Sequence, residues 1–173
     1  MAKLKVFEVP SDVLRKKALP VSEVNAEIKQ TLADMLETMY ADHGVGLAGN
    51  QVGILKRLVV LDCADQEEEP NPIKMVNPVI TEHSEEKITH HEGCLSVPHQ
   101  FADVERFAWV VVSYLDENGR QQVQKAEGLL AVAIQHELDH LEGTLFIDYL
   151  TAFKRKHLLT KLEKRRQKER EEE

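Results

Sequence analysis

Apolar residues recur at spacings of three and four between Val24 and Tyr40, with polar residues at the positions between them. This period is typical of an α-helix that buries one face. Asn25 belongs to a residue type that caps helix starts, and Gly44 stands past the last apolar position, where glycine often ends a helix. The pattern therefore predicts an amphipathic helix in this part of the chain.

The next segments follow a β-type pattern. Residues 57–61 predict a short strand, and an acidic loop that contains prolines follows over residues 65–72. Farther on, Met75-Val76 and Val79-Ile80 flank Asn77-Pro78. Because proline cannot donate a hydrogen bond within a sheet, we expect two short strands with a turn or bend between them.

A hairpin is predicted in the second half of the chain. β-Branched and aromatic residues are frequent over residues 102–115. Residues 116–119, with the sequence Asp-Glu-Asn-Gly, form a favourable hairpin turn. A return strand through Val123 completes the prediction.

Two helices follow the hairpin. Residues 129–141 are apolar nearly all round, which predicts a buried helix that Gly143 terminates. A last helix starts near residue 151 and is apolar only near its beginning. The order of elements predicts an α+β fold, with antiparallel or mixed β-sheets around a buried central helix. We expect residues 1–150 to form the main domain and residues 151–173 a basic helix or tail of the same domain.

Length and composition fit one folded domain. The chain has 173 residues, of which 42% are apolar and 30% charged, as in a globular protein. No apolar run approaches the roughly 20 residues that span a bilayer, so we expect no membrane association. The first residues lack the apolar stretch of a secretion signal. We therefore expect a cytoplasmic protein whose two cysteines, Cys63 and Cys94, are reduced.

The charge is unevenly distributed along the chain. The net charge is −8, but residues 154–173 carry nine Lys and Arg against five acidic residues. That surplus of +4 leaves −12 on the rest of the chain. The acidic body argues against DNA binding, whereas the basic tail alone suits an anionic partner.

The predicted central helix contains His136-Glu137-Leu138-Asp139-His140. Histidines four residues apart project from the same helix face, so both imidazoles can bind one metal ion. Glu137 is offset around the helix and suits a general base that acts on water. A chance match on a surface helix is the alternative, but the surrounding residues are too apolar for it. Burial of such polar side chains is unfavourable unless they are paired or bind a metal.

A catalytic metal site needs a third protein ligand, for which His, Cys, Asp and Glu are all candidates. Cys94 lies in Glu92-Gly93-Cys94-Leu95-Ser96 and would provide a thiolate. A lone cysteine is more often a small buried apolar residue, and we interpret Cys63 in that way. Cys94 differs because it follows a glycine and has acidic and histidine neighbours.

Residues 44–53 form a glycine-rich segment with a formal G-x-G-x-x-G pattern. A dinucleotide site would require a preceding strand and a following helix, whereas here a helix precedes and a strand follows. A loop that lets a substrate backbone approach closely, and that presents the Gln51 amide, fits better. A purely structural loop is the alternative.

Together these segments resemble the peptide deformylase family of bacterial type. The family motifs are G-φ-G-φ-A-x-x-Q, E-G-C-φ-S and Q-H-E-x-D-H-φ-x-G, where φ is apolar. They occur here, in the family order, at residues 44–51, 92–96 and 135–143. The resemblance extends from about residue 4 to about residue 150, so the main domain is expected to be the catalytic one.

The resemblance implies a metal-dependent hydrolase that removes the formyl group from formyl-methionyl nascent chains and releases formate. It makes Cys94, His136 and His140 the metal ligands and Glu137 the general base and acid that serves a metal-bound hydroxide nucleophile. One divalent ion is expected, natively ferrous iron, with zinc, nickel or cobalt as substitutes.

The Gln51 side-chain amide and the Leu95 backbone N–H are expected to form the oxyanion hole. An apolar slot should take the methionine side chain, and the peptide should add as a strand beside residues 44–46 and 88–92. The residues expected to bind the substrate are Gly44, Val45, Gly46, Glu92, Leu129 and Ala133. Glu92 and Arg106 are a candidate buried ion pair that supports Cys94, and a core ion pair without a role in the site is the alternative.

Three departures from the family pattern bear on the site. Gly49-Asn50 replaces the more usual Ala followed by Pro or Thr, which predicts a looser loop around Gln51. His90 stands where an aliphatic residue often lines the substrate pocket, and Phe101 where many relatives have Arg or Tyr.

Two rival classes and one further partner remain open at this stage. A zincin-type peptidase would use the same helix motif, but its third ligand usually lies downstream, whereas Cys94 lies upstream. A non-catalytic metal-binding module would not need Glu137 or Gln51. In some bacterial deformylases the C-terminal helix contacts the ribosome, so residues 154–170 either bind ribosomal RNA or form a solvated helix end.

Overall fold

The structure is a computed structural model that describes residues 2–172. In this part of the chain three α-helices and seven strands occur, with 3-10 turns at Asp12–Arg15, Gly49–Val52 and Phe146–Tyr149. In chain order the elements are α1 (Ala26–Ala41), β1 (Gly46–Ala48), β2 (Leu58–Leu61), β3 (Ile73–His83), β4 (Lys87–Cys94), β5 (Val97–Phe107), β6 (Trp109–Leu115), β7 (Gln121–Glu127), α2 (Gly128–Leu141) and α3 (Ala152–Glu171).

The strands form two antiparallel sheets. The larger sheet has the order β1-β2-β3-β6-β7, and β4 and β5 form a separate long hairpin. Helix α2 packs on the larger sheet, and the side chains of Ala131, Ile134 and Leu141 are buried in the shared core. The α+β prediction, with a buried central helix and a charged C-terminal helix, is confirmed.

Local signals explain where the helices begin and end. The Asn25 side chain caps α1, because its Oδ1 accepts a hydrogen bond from the Ile28 N–H at 2.9 Å. Helix α2 ends before Gly143, which has φ +78°. A Cβ at Gly143 would lie 2.5 Å from the Arg15 carbonyl oxygen, so the N-terminal segment packs against the end of α2 only because this residue is glycine.

The predicted break at Asn77-Pro78 is wrong, because β3 runs continuously through both residues. The pairing register with β6 shifts between Val76 and Val79, and Asn77 adopts φ +52°. The Asn77 side chain accepts a hydrogen bond from the Val21 N–H and donates one to the Val21 carbonyl, both at 2.8 Å. This bulge accommodates the proline without a turn.

Two further parts of the strand prediction differ from the structure. The β-type stretch at residues 102–115 is two strands, since β5 ends at Phe107 and β6 begins at Trp109. Strand β4 was not predicted as an element because it carries few apolar side chains.

A second core joins the β4–β5 hairpin to the C-terminal part of the chain. Val97 and Val104 of β5 pack with Phe146 and with Leu158 and Leu162 of α3. No helix within residues 2–172 has both the length and the apolar character needed to cross a bilayer. Helix α2 contacts strands of the larger sheet and also β5 of the hairpin, so its side chains reach both sheets.

Candidate metal centre

A sulfur atom and two imidazole nitrogen atoms converge between α2 and the end of β4. Cys94 Sγ lies 3.3 Å from His140 Nε2, which lies 3.2 Å from His136 Nε2. In the part of the chain that the structure describes, these three residues are the group with metal-ligating geometry, and their ligand atoms lie within 4.8 Å of one another. One sulfur and two nitrogen donors suit a divalent transition metal.

The surroundings fit such an ion. His136 Nδ1 donates a hydrogen bond to Glu92 Oε1 at 2.8 Å, which leaves Nε2 free to ligate. Burial lowers the pKa of His140 well below its usual value, so this imidazole is neutral and offers a lone pair. Glu137 is 4% exposed, and its Oε1 has no hydrogen-bond partner within residues 2–172. Three donors beside an orphaned carboxylate oxygen therefore fit one metal ion.

Glu137 follows His136 on α2 and faces β1. A Cβ at Gly46 would lie 2.5 Å from Glu137 Oε2, so only a glycine lets β1 pass this carboxylate. Burial raises the pKa of the Glu137 carboxyl to about 7, and a nearby cation would act in the opposite direction.

Gln51 lies on the 3-10 turn that follows β1. Its Oε1 accepts from the Ala48 N–H at 2.9 Å, and its Nε2 donates to Ser96 Oγ at 3.1 Å. The same Nε2 lies 3.5 Å from Cys94 Sγ. The predicted loosening of this turn is not observed, since Asn50 is buried and donates to the Lys16 carbonyl at 2.7 Å.

An ion-pair network supports the site from behind. Arg106 donates to both oxygens of Glu92, at 2.7 and 2.9 Å, and to Asp139 Oδ2 at 2.6 Å. Tyr149 donates its hydroxyl to the same Asp139 oxygen at 2.8 Å. Burial opposes ionisation of Glu92, but the hydrogen bonds from Arg106 and His136 outweigh it and lower the pKa of Glu92 to about 2.

A cavity of about 470 Å³ opens beside the ligand atoms. With the exception of His140, which is fully buried, every predicted site residue lines it. These residues are Gly44, Val45, Gly46, Gln51, Glu92, Cys94, Leu95, Leu129, Ala133, His136 and Glu137. Glu92 turns its carboxylate towards His136 and Arg106, so its charge is already engaged.

The sequence interpretation missed four residues around this site: Ser96, Val132, Asp139 and Tyr149. Val132 lines the cavity and lies four residues before His136, on the same face of α2. Asp139 stands inside the histidine motif, which was a usable signal. Ser96 stands inside the E-G-C-φ-S motif, which was a signal of the same kind, whereas Tyr149 gave none because its contact with Asp139 depends on the tertiary fold.

The departures His90 and Phe101 both lie at the cavity. Phe101 is 59% exposed and stacks on His91 with ring centroids 5.7 Å apart. A Cβ at Gly93 would collide with the Phe101 ring, so this aromatic side chain covers the backbone next to Cys94.

A family model described as "Polypeptide deformylase" matches residues 3–156. The chain belongs to this deformylase family. The Endomicrobium trichonymphae peptide deformylase is 48% identical over 166 residues, which cover 96% of this chain and 97% of the relative.

Solved deformylase structures have the same fold. The Ehrlichia chaffeensis peptide deformylase in complex with actinonin superposes with a TM-score of 0.90 and 40% identity, covering 95% of this chain and 98% of that one. A Met-Ala-Ser-bound deformylase from Acinetobacter baumannii has a TM-score of 0.80 and 39% identity over 86% of this chain and 99% of that one. The chain is therefore a metal-dependent hydrolase of N-formyl peptides, as the motifs predicted, and the peptidase alternative is set aside.

Chelation of the metal should expose one reactive thiol in this deformylase. Burial raises the pKa of Cys63 to about 11, with Glu137 and Asp62 adding to the effect, so Cys63 should react slowly near neutral pH. Cys94 should be protected while it ligates a metal. We expect a thiol reagent to label one cysteine rapidly after chelation and none in the metal-loaded protein.

The variant Cys63→Ala is the control and should keep the rapid reaction, whereas Cys94→Ala should lose it. Rapid labelling of Cys94 in protein that holds one metal ion per chain would contradict its assignment as a ligand.

Proposed function

We propose that Cys94, His136 and His140 hold one divalent ion, ferrous iron in the native enzyme, with zinc, nickel or cobalt as substitutes. Such an ion supplies Lewis acidity, which lowers the pKa of water and polarises a carbonyl group. The observation that carries the proposal is the orphaned Glu137 oxygen beside three converging ligand atoms.

In the proposed mechanism Glu137 accepts a proton from the attacking water as the water oxygen bonds to the formyl carbon. Glu137 then delivers this proton to the nitrogen as the carbon–nitrogen bond breaks, which yields formate and a free amine. The Gln51 amide and the Leu95 N–H would stabilise the oxyanion. Leu95 lies in the two-residue turn after Cys94, and Gln51 Nε2 lies 3.5 Å from Cys94 Sγ. Both proposed donors therefore lie next to the proposed metal ligand Cys94.

The substrate is proposed to be a formyl-methionyl nascent chain. Val45, Leu129 and Ala133 line the cavity and offer an apolar wall to the methionine side chain. Gly44 and Gly46 let the peptide backbone approach β1, which is an edge strand of the larger sheet. The Met-Ala-Ser complex of the related Acinetobacter enzyme supports a peptide of this kind.

Formate release from formyl-Met-Ala-Ser tests the proposal. The protein would be loaded anaerobically with ferrous iron and compared with nickel- and zinc-loaded samples. We expect rapid release with iron or nickel and no cleavage of the unformylated peptide. A folded sample with one metal ion per chain that releases no formate would overturn the function.

Replacement of Gln51 by Ala should lower kcat by about 10²–10³-fold, because one oxyanion donor is lost. The matched control is Ser96→Ala, which removes the hydroxyl that accepts from Gln51 Nε2 but keeps the donor itself. We expect a much smaller loss of kcat in the control. Equal losses in the two variants would show that Gln51 acts through its hydrogen bond to Ser96 and not as an oxyanion donor.

We further propose that the enzyme works in the cytoplasm and that α3 docks on ribosomal RNA. Five exposed lysines on α3 pair with no carboxylate within residues 2–172: Lys154, Lys156, Lys161, Lys164 and Lys168. Leu158 and Leu162 are buried under the helix, which supports treating residues 151–173 as part of the main domain.

Deletion of α3 would therefore expose the core, so charge reversal is the sharper test. Lys161→Glu with Lys164→Glu and Lys168→Glu should abolish cosedimentation with ribosomes at low salt. Reversal of the exposed pair Lys16 and Lys17 is the control. Cosedimentation that survives the α3 substitutions would contradict the docking.

A further inference from the structure

A second depression adjoins the cavity at the metal centre. It has a volume of about 750 Å³ and is bordered by the N-terminal segment, the end of α1 and the start of β5. We call it the exit groove and define it by Lys5, Asp42, His43, Leu95, Pro98 and His99. All of these except Lys5 also line the cavity at the metal centre. The two depressions are therefore continuous, and a peptide can pass from one into the other.

Both carboxylates that line the exit groove form ion pairs, which leaves Lys5 as the charged lining residue without a partner in the described part of the chain. Asp42 is neutralised by Lys3 at 3.0 Å, and Glu8, which also lines the groove, is neutralised by Arg166 at 3.1 Å. Lys5 pairs with no carboxylate in the described part of the chain. The groove therefore differs from the rest of the acidic body.

Lys5, His43 and His99 are the lining groups of the exit groove that can bind a carboxylate. The Lys5 ammonium lies 5.1 Å from the centroid of the Phe7 ring, which holds it at the rim without cancelling its charge. His43 and His99 both have left-handed backbones, with φ +59° and +64°. His43 lies just past the end of α1, where a left-handed residue commonly ends a helix, and His99 lies near the start of β5. Both histidines lie where the two depressions meet.

We propose that the exit groove receives the substrate residues that follow the formyl-methionine and that it favours Asp and Glu among them. The inference rests on the proposed deformylase function. A carboxylate in the groove can pair with Lys5 and accept hydrogen bonds from His43 and His99. The body of the chain, with a net charge of −12, would by itself attract basic peptides instead. A preference for acidic peptides would therefore show that the charges of the exit groove, and not the net charge of the protein, determine which peptides are preferred.

Three formylated peptides test the proposal. Each begins with formyl-Met-Ala-Ser and continues with three Asp, three Asn or three Lys residues. We expect kcat/KM for the Asp peptide to exceed that for the Asn peptide by about two- to five-fold for each charge pair formed. The advantage should reside in KM and should shrink as the salt concentration rises.

Lys5→Glu is the decisive variant, and Lys17→Glu is the matched control. Both substitutions change the net charge by the same amount, but Lys17 is exposed and lies outside both depressions. Lys5→Glu should reverse the order so that the Lys peptide is preferred over the Asp peptide. Lys17→Glu should keep the order of the unmodified enzyme.

Equal kcat/KM for the three peptides, or equal shifts in the two variants, would overturn the proposed groove. A preference of the unmodified enzyme for the Lys peptide would overturn it as well. Absence of formate from every peptide would instead overturn the deformylase function, so the two failures are distinguishable.

Discussion

Substitution of Glu137 by Gln is expected to lower kcat/KM by about 10²–10⁴-fold while one metal ion per chain is retained. The amide has nearly the shape of the carboxylate but cannot accept the water proton or return it to the leaving amine. Cys94, His136 and His140 are unchanged, so the affinity for the ion should change little. Formate release and metal analysis on the same sample measure the two quantities separately.

Glu142→Gln is the matched control for this loss. Glu142 directly follows α2 and forms an ion pair with Arg57, with its side chain half exposed at 49%. We expect activity close to that of the unmodified enzyme. If Glu137→Gln retained turnover, the general base would have to be another group. If it lost its metal, the loss of rate would say nothing about proton transfer.

Substitution of Arg106 by Met should lower the free energy of unfolding by about 3–5 kcal/mol, because it leaves buried carboxylates without their partner. The Arg106 and Glu92 side chains are each 3% exposed, so water cannot replace the lost charge. Glu92 would then hold His136 less firmly, and metal should be lost to a chelator more rapidly. Urea denaturation of the metal-loaded protein measures the first effect.

The matched control is Arg15→Met. Arg15 also forms a two-bond ion pair, with Asp148, but its side chain is 47% exposed. Its removal should cost about 0–1 kcal/mol. If Arg106→Met does not fold, Arg106→Lys provides the measurement, since it keeps the charge but loses the paired geometry. Equal effects at the two arginines would refute the importance of burial.

The helices were predictable because their apolar periods and end signals are local. Asn25 and Gly143 act within one turn of the helices that they delimit. Strand β4 was not predictable in the same way. Its side chains, including Glu92 and Cys94, serve the site and not an apolar core, so the apolar alternation that predicts a strand is weak.

The residues of the candidate site also differ in how far the local sequence predicts them. His136 and His140 were predictable as a ligand pair because helix geometry places them on one face. The local setting of Cys94, after a glycine and beside acidic and histidine residues, made it only a candidate ligand, and its assignment required the family resemblance. The contact of Arg106 with Asp139, 33 residues away, depends on how the hairpin packs against α2, which no local pattern encodes.

The proposed machinery comes from three stretches of sequence that lie far apart, around residues 46–51, 92–96 and 136–140. Synthesis proceeds from the N-terminus. A ribosome that has translated the first hundred residues has therefore made Gln51 and Cys94 but not yet His136 or His140. The ion can therefore be captured with its full ligand set only after α2 has emerged and packed. Biogenesis of this enzyme should depend on metal supplied late, to a nearly finished chain.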